Sequence, residues 1–348
     1  MKKGLKLTAY VSGSIIGAGF ASGKEIVAFL GKNGLNAGSA IACFCMFFVC
    51  GFIFLSIGSI VKGGNFGKVN AVIMPKTHGF FDCFSVFNGV IVLSAMLAVI
   101  GGIGNSVRPL GITYSACFAL FVLILARKGK SRVMSGSLVL MFLTVAIIIA
   151  VSIENFSSGE GVFDGKVAVF SCMNYVAMNM LLSASAMVSE KSLSLKQRIF
   201  VSAAVALVLS GLIFILGYAI RCAGCEDSPM PVFALSSRLG KTAYYAAVLL
   251  IVLSATATSL TVCIEISEFF KPYADKTFSL VVILLVALII GSFGFERVVE
   301  RFYPIIGVIG VLYFFAAVRF LTAFAFNKFF RKGNDKVHHR RKRAKNYR

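Results

Sequence analysis

Gly13-Ser14-Ile15-Ile16-Gly17-Ala18-Gly19-Phe20-Ala21-Ser22-Gly23-Lys24-Glu25 lies inside the first long apolar run of the chain, residues 5–31. Four glycines within eleven residues weaken a helix by about 1 kcal/mol each relative to alanine. Ser22 and Glu25 have the S-x-x-E spacing of a capping box, which predicts a helix restart near residue 22. That depth is close to the middle of a bilayer, where irregular backbone is tolerated only if it is buried in protein or lines a cavity. Free N–H groups at such a break attract anions, and the carbonyls ending the preceding half-helix attract cations. Close helix packing through Gly13 and Gly17 is the competing explanation. It accounts for neither the capping box nor Lys24-Glu25 inside the span. A dinucleotide fingerprint in Gly17-x-Gly19-x-x-x-Gly23 lacks the strand–helix context it requires.

The rest of the sequence fits a span of this kind. Of the 348 residues, 58% are hydrophobic and only 14% charged, and the mean hydropathy is +0.88. Apolar runs long enough to cross a hydrocarbon core recur almost throughout. This excludes a soluble enzyme, a disordered chain, and a membrane barrel, whose strands would alternate apolar and polar residues. Ten spans are predicted, at 5–31, 36–62, 80–104, 109–126, 133–153, 167–189, 199–220, 242–269, 277–294 and 303–326. The expectation is an all-α polytopic membrane protein, with the first apolar run retained rather than cleaved as a signal peptide. Five spans per half fit an inverted repeat, 5–153 against 167–326, in which helices one and six are both broken.

The net charge of +21 invites a nucleic-acid reading, but the basic residues follow membrane topology instead. Of 35 Lys and Arg, 25 fall in segments on one side, counting the tail, and 8 on the other. The poorer side also carries Glu154, Glu160, Asp164, Glu226 and Asp227. Both termini are therefore expected in the cytoplasm. The basic tail, 327–348, is expected on anionic lipid headgroups, and no nucleic-acid partner is expected.

Two further clusters stand out. Span eight carries Ser254-Ala255-Thr256-Ala257-Thr258-Ser259 and then Thr261, small and hydroxyl residues that could bond back to their own helix or offer oxygens to a desolvated cation. Span six carries Asn174-Tyr175 and Asn179 in an apolar helix, available for substrate contact or for interhelical hydrogen bonds. Glu25 combines a capping role with a possible gating or proton-carrying one. Glu265 and Glu268 lie near the inner end of span eight, and Arg319 lies close enough to the inner end of span ten to snorkel. Cys222 and Cys225, C-x-x-C in an outer loop, leave a local disulfide open. An intramembrane enzyme lacks its residues: His78, His338 and His339 all lie outside the spans, no G-x-S-x-G occurs, and Asp82 has no aspartate partner within the membrane.

Gly17-Ala18-Gly19-Phe20-Ala21-Ser22-Gly23-Lys24-Glu25-Ile26 resembles the first-helix motif of the YkvI-type bacterial membrane proteins. These are relatives of the amino acid–polyamine–organocation superfamily, with its LeuT-like 5+5 fold. The resemblance covers the layout of all ten spans, while only this motif is specific. The family often has Gln where this chain has Lys24, which puts a second charge beside the site. The resemblance implies a bacterial cell-membrane protein. It also implies a sodium site made by the carbonyls of Gly13, Ile16 and Ala255 and the hydroxyls of Thr258 and Ser259. A substrate carboxylate would rest on the N–H groups of Ala18 and Gly19, with Phe20, Ser22, Asn174, Tyr175 and Asn179 nearby. Phe20 stands where some relatives place the polar side chain of a second sodium site, so at most one sodium is implied. The resulting expectation is a Na⁺-coupled secondary transporter of a small amino acid or similar zwitterion, with Lys24 and Glu25 in gating or coupling and no other cofactor. The alternatives are a proton-coupled carrier or exporter using Glu25 and Lys24, and a non-transporting membrane sensor or assembly protein.

Overall fold

The computed structural model describes residues 2–128, 130–156, 167–190 and 193–345. Glu160, Asp164, Lys166 and Lys191, and the side chains of the basic tail from residue 327 onward, lie outside what is described. Fourteen helices and no strand occur among the described residues: α1 (Lys2–Ile15), α2 (Ala18–Ala21), α3 (Lys24–Gly34), α4 (Ala37–Val61), α5 (Phe66–Ile73), α6 (His78–Val107), α7 (Gly111–Ala126), α8 (Lys130–Ile153), α9 (Val169–Val188), α10 (Leu195–Cys222), α11 (Pro231–Arg238), α12 (Lys241–Phe270), α13 (Lys276–Gly291) and α14 (Phe295–Lys345). Six of them, α4, α6, α9, α10, α12 and α14, are long and apolar enough to cross a membrane, and three shorter apolar helices fall within α7, α8 and α13.

Local chemistry sets the helix starts. The side chains of Asn36, Asn65 and Ser194 accept N–H bonds at the first turns of α4, α5 and α10, and Ser194 forms a full capping box with Gln197. Asp275 accepts from the N–H groups of Thr277 and Phe278 at the start of α13, which holds its carboxyl below the usual carboxylate range.

The predicted first span divides into α1, α2 and α3. The structure corrects its capping. Gly23 caps α3 from the left-handed region, at φ 79°, with no side-chain cap, and the helix restarts at Lys24. Ser22 ends α2 instead, its hydroxyl donating to the Gly19 carbonyl at 3.0 Å and accepting weakly from the Lys24 N–H at 3.3 Å. A glycine in that conformation satisfies the turn through backbone alone, so the Ser22–Glu25 box is not formed.

A second correction concerns span six. Within the described residues α9 is one unbroken helix, not a broken one. It contains no Gly or Pro, and its polar side chains bond back along it: Asn179 Nδ2 donates to the Tyr175 carbonyl at 3.0 Å, and Ser183 Oγ to the Asn179 carbonyl at 3.1 Å. These bonds satisfy the polar side chains within the helix itself, so no interruption is needed to accommodate them. Glycines bring α14 onto α9 at backbone distance. A Cβ on Gly307 would lie 2.7 Å from the Asn174 carbonyl oxygen, and one on Gly310 2.8 Å from that of Ala177.

Buried side chains from nearly every helix form one core cluster, and α6, α9 and α12 are enclosed over most of their length. These three surround the break between α1 and α2.

Candidate functional site

The break begins where α1 runs out of helix. The Ile16 N–H still bonds to the Ser12 carbonyl, but the Gly17 N–H turns to Ile15, only two residues back. Gly17 is extended (φ −82°, ψ −177°), and four residues of α2 follow. This leaves the carbonyls near the end of α1 facing α12. Among the hydroxyls of α12, those of Ser254, Thr256 and Thr261 bond back to their own helix. Thr258 does not. Its Oγ1 donates across to the carbonyls of Gly13 and Ser14, at 3.3 and 3.4 Å. Ser259 Oγ is buried with no partner among the described residues. Ile16 and Ala255 are both buried.

At the start of α2 the Ala18 N–H points at the sulfur of Met96, 3.3 Å away, a weak acceptor. Gly19 lies directly beneath the side chain of Glu25, close enough that a Cβ on Gly19 would coincide with the carboxyl group. Glu25 is 4% exposed, and its Oε2 has no hydrogen-bond partner among the described residues.

These groups line an enclosed cavity of about 10 Å³, bounded by Ile15, Gly17, Glu25, Asn88, Val92, Met96, Met178, Asn179, Leu182, Thr258 and Tyr303. That volume holds about one water, so the centre is closed. A second cavity of about 30 Å³ shares Asn88 and Leu182 with it and extends past Glu265 to Phe66 of α5 and Tyr313 of α14. A larger cavity among the described residues, about 430 Å³, lies apart between α6, α7, α13 and α14 and is lined mainly by glycine and apolar residues.

The other expected residues divide. Asn179 lines the central cavity. Asn174 instead donates to the Pro304 carbonyl of α14 at 3.4 Å, and Tyr175 packs its ring against Phe29 and Phe47. Phe20 is buried, and Ser22 serves the turn between α2 and α3. Lys24 turns away from Glu25 and pairs with Glu296 and Glu300 of α14, at 2.8 and 2.9 Å. The carboxylates are about half exposed, so the pairs fasten α3 to α14 without adding much stability. Beside them, the Val232 N–H at the start of α11 donates to the Ser22 carbonyl at 3.0 Å. Cys222 and Cys225 are not joined by a disulfide.

Sequence reasoning gave no site role to Asn88, Met96, Tyr303, Glu296 or Glu300. Asn88, an amide inside the apolar run 80–104, was the one with a readable signal. The described residues contain no group of three or more His, Cys, Asp or Glu able to hold a metal ion.

No family model matches the chain. It is 23% identical over 330 residues to the uncharacterized protein YyaD of Bacillus subtilis (strain 168), covering 89% of this chain and 94% of that one. Among solved structures it is similar to MhsT in complex with L-phenylalanine, with a TM-score of 0.66 and 16% identity, over 89% of this chain and 87% of that one. It is also similar to Mhp1, a nucleobase-cation-symport-1 family transporter, in a closed conformation with bromovinylhydantoin bound: TM-score 0.62, 14% identity, 87% of this chain and 74% of that one. The inward-facing conformation of Mhp1 is similar with a TM-score of 0.53 and 13% identity. At these identities the likeness establishes the fold, that of a LeuT-like polytopic membrane protein. Mhp1 and the Eremococcus coleocola manganese transporter, which share it, are transporters.

Proposed function

We propose that the chain is a secondary transporter that carries a small amino acid or similar zwitterion by alternating access, driven by Na⁺. Supporting this reading is the interrupted first helix, whose break opens beside a small cavity where Glu25, Asn88, Asn179, Thr258 and Tyr303 stand among apolar side chains. Ten spans in two inverted halves, 5–153 and 167–326, with both termini in the cytoplasm of a bacterial cell, complete the proposal. Its sodium would be held by the carbonyls of Gly13, Ile16 and Ala255 and the hydroxyls of Thr258 and Ser259. The cross-helix reach of Thr258 and the buried, unpartnered hydroxyl of Ser259 favour that cage. A cation there ties α1 to α12 and stabilises whichever arrangement of the two binds it better.

Purified protein in liposomes is expected to accumulate labelled amino acids under an inward Na⁺ gradient. Thr258→Ala combined with Ser259→Ala is expected to remove the Na⁺ dependence, and unchanged Na⁺-driven uptake would refute the cage. A second reading replaces sodium by a proton on Glu25, favoured by the burial of that carboxyl with no basic side chain lining its cavity. It requires uptake driven by a pH gradient without Na⁺ that disappears in Glu25→Gln.

A further inference from the structure

The carboxyl group of Glu25 is the most unusual occupant of the central cavity. It does not cap α3, since Gly23 does that through backbone alone. It folds back over Gly19, a position whose lack of a side chain makes the approach possible. The one other charge beside it in sequence, Lys24, is committed to Glu296 and Glu300.

Among the described residues, the cavity wall around Glu25 contains no Lys, Arg or His. It contains acceptors. Glu25 Oε2, Asn88 Oδ1 and the Tyr303 hydroxyl are all buried without a hydrogen-bond partner among the described residues. Asn88 is 3% exposed and Tyr303 1%. Such a set is complementary to a group that carries positive charge and several N–H donors, and an ammonium has both. It is poorly matched to a carboxylate. An anion on α2 would meet the charge of Glu25, while the Ala18 N–H is already turned to Met96 and Gly19 is covered.

We propose that Glu25, with Asn88 and Tyr303, is the binding site for the ammonium group of the transported solute, so that an amine is required for recognition and a carboxylate is not. This rests on the carrier reading and narrows its substrate class. The closed cavity takes an ammonium head or one water, and the rest of the solute needs room made by the flexible walls Met96 and Met178. An alkali cation shares the same chemistry, so the test separates the two sources.

The full-length protein in detergent is titrated with matched probes: phenethylamine, phenylalanine and 3-phenylpropionate, then propylamine, alanine and propionate. Each is added in NaCl and in choline chloride, with thermal unfolding and competition against bound labelled amine as readouts. The amines and amino acids are expected to stabilise the protein while the acids do nothing. Glu25→Gln, of nearly the same shape, is expected to weaken amine binding at least about tenfold, as loss of a charged hydrogen-bond partner does. Glu25→Asp should recover part of it, which a folding defect would not reproduce. If Glu25 serves only as a proton carrier, amine binding survives Glu25→Gln and the proposal fails. It fails equally if Na⁺ alone gives the Glu25-dependent stabilisation and amines add nothing. Binding of the acids without the amines overturns the proposal but leaves the carrier reading standing, whereas silence from every probe removes both.

Discussion

The segment Gly13–Glu25 and helix α9 both pass beside the central cavity, and both carry polar residues at a depth where apolar ones are the rule. In the first segment the backbone gives way. Glycines at 17, 19 and 23 permit a close approach by Thr258, a contact with Glu25 and a left-handed turn, and the carbonyls released at the end of α1 are met by Thr258 from another helix. In α9 the backbone is continuous, and Asn179 and Ser183 return their hydrogen bonds to the carbonyls four residues back. Polar side chains alone therefore do not open a buried helix. It opens where the residues that could fill the gap have been removed.

Three substitutions, taken in decreasing order of effect, can break or sharpen this contrast. Gly19→Ala places a methyl group where the Glu25 carboxyl lies. Overpacking of this kind costs about 1–3 kcal/mol. We expect the upper end of that range in thermal or denaturant unfolding, together with loss of uptake as Glu25 is expelled from the cavity. Near-wild-type stability and uptake would show that the contact is not required. Gly23→Ala forces a left-handed residue, at about 1–2 kcal/mol, and drives its Cβ to 2.6 Å from Ile220 Cδ1. Its unfolding midpoint should fall by less than that of Gly19→Ala and by more than that of any single change in α9. Ser183→Ala removes only a bond from a side chain to its own helix. A few tenths of a kcal/mol is expected, and a loss above about 1 kcal/mol would mean that the hydroxyl has a partner beyond α9.

The interruption of the first helix was legible because glycine content weakens a helix wherever it occurs. The location of its cap was not. The S-x-x-E spacing suits a side-chain cap, but the neighbouring Gly23 reaches a turn that no other residue enters as cheaply, and that outcome depends on φ rather than on pattern. In span six the spacing of Asn179 four residues after Tyr175, and of Ser183 four after Asn179, allowed local satisfaction, so the break expected there could have been doubted from sequence. Thr258 could not be told from Thr256 or Thr261 without knowing which face of α12 meets α1. Met96 and Tyr303 carry no distinguishing mark in apolar helices. Glu296 and Glu300 read as ordinary loop acids until the fold sets the start of α14 beside Lys24.

The glycine-lined seam between α9 and α14 bears on how such a molecule could change shape. With Gly307 and Gly310 against the backbone of α9, and Asn174 reaching to Pro304, a rotation of α9 is expected to carry α14 with it. Beside the cavity the bend lies at Ile16–Gly23, with no counterpart in the described residues of α9. Spin labels on α1 and α9 should report a broad or shifting separation across transport conditions, against a fixed one between α9 and α14. The pivoting would be lopsided, one arm swinging against a welded frame.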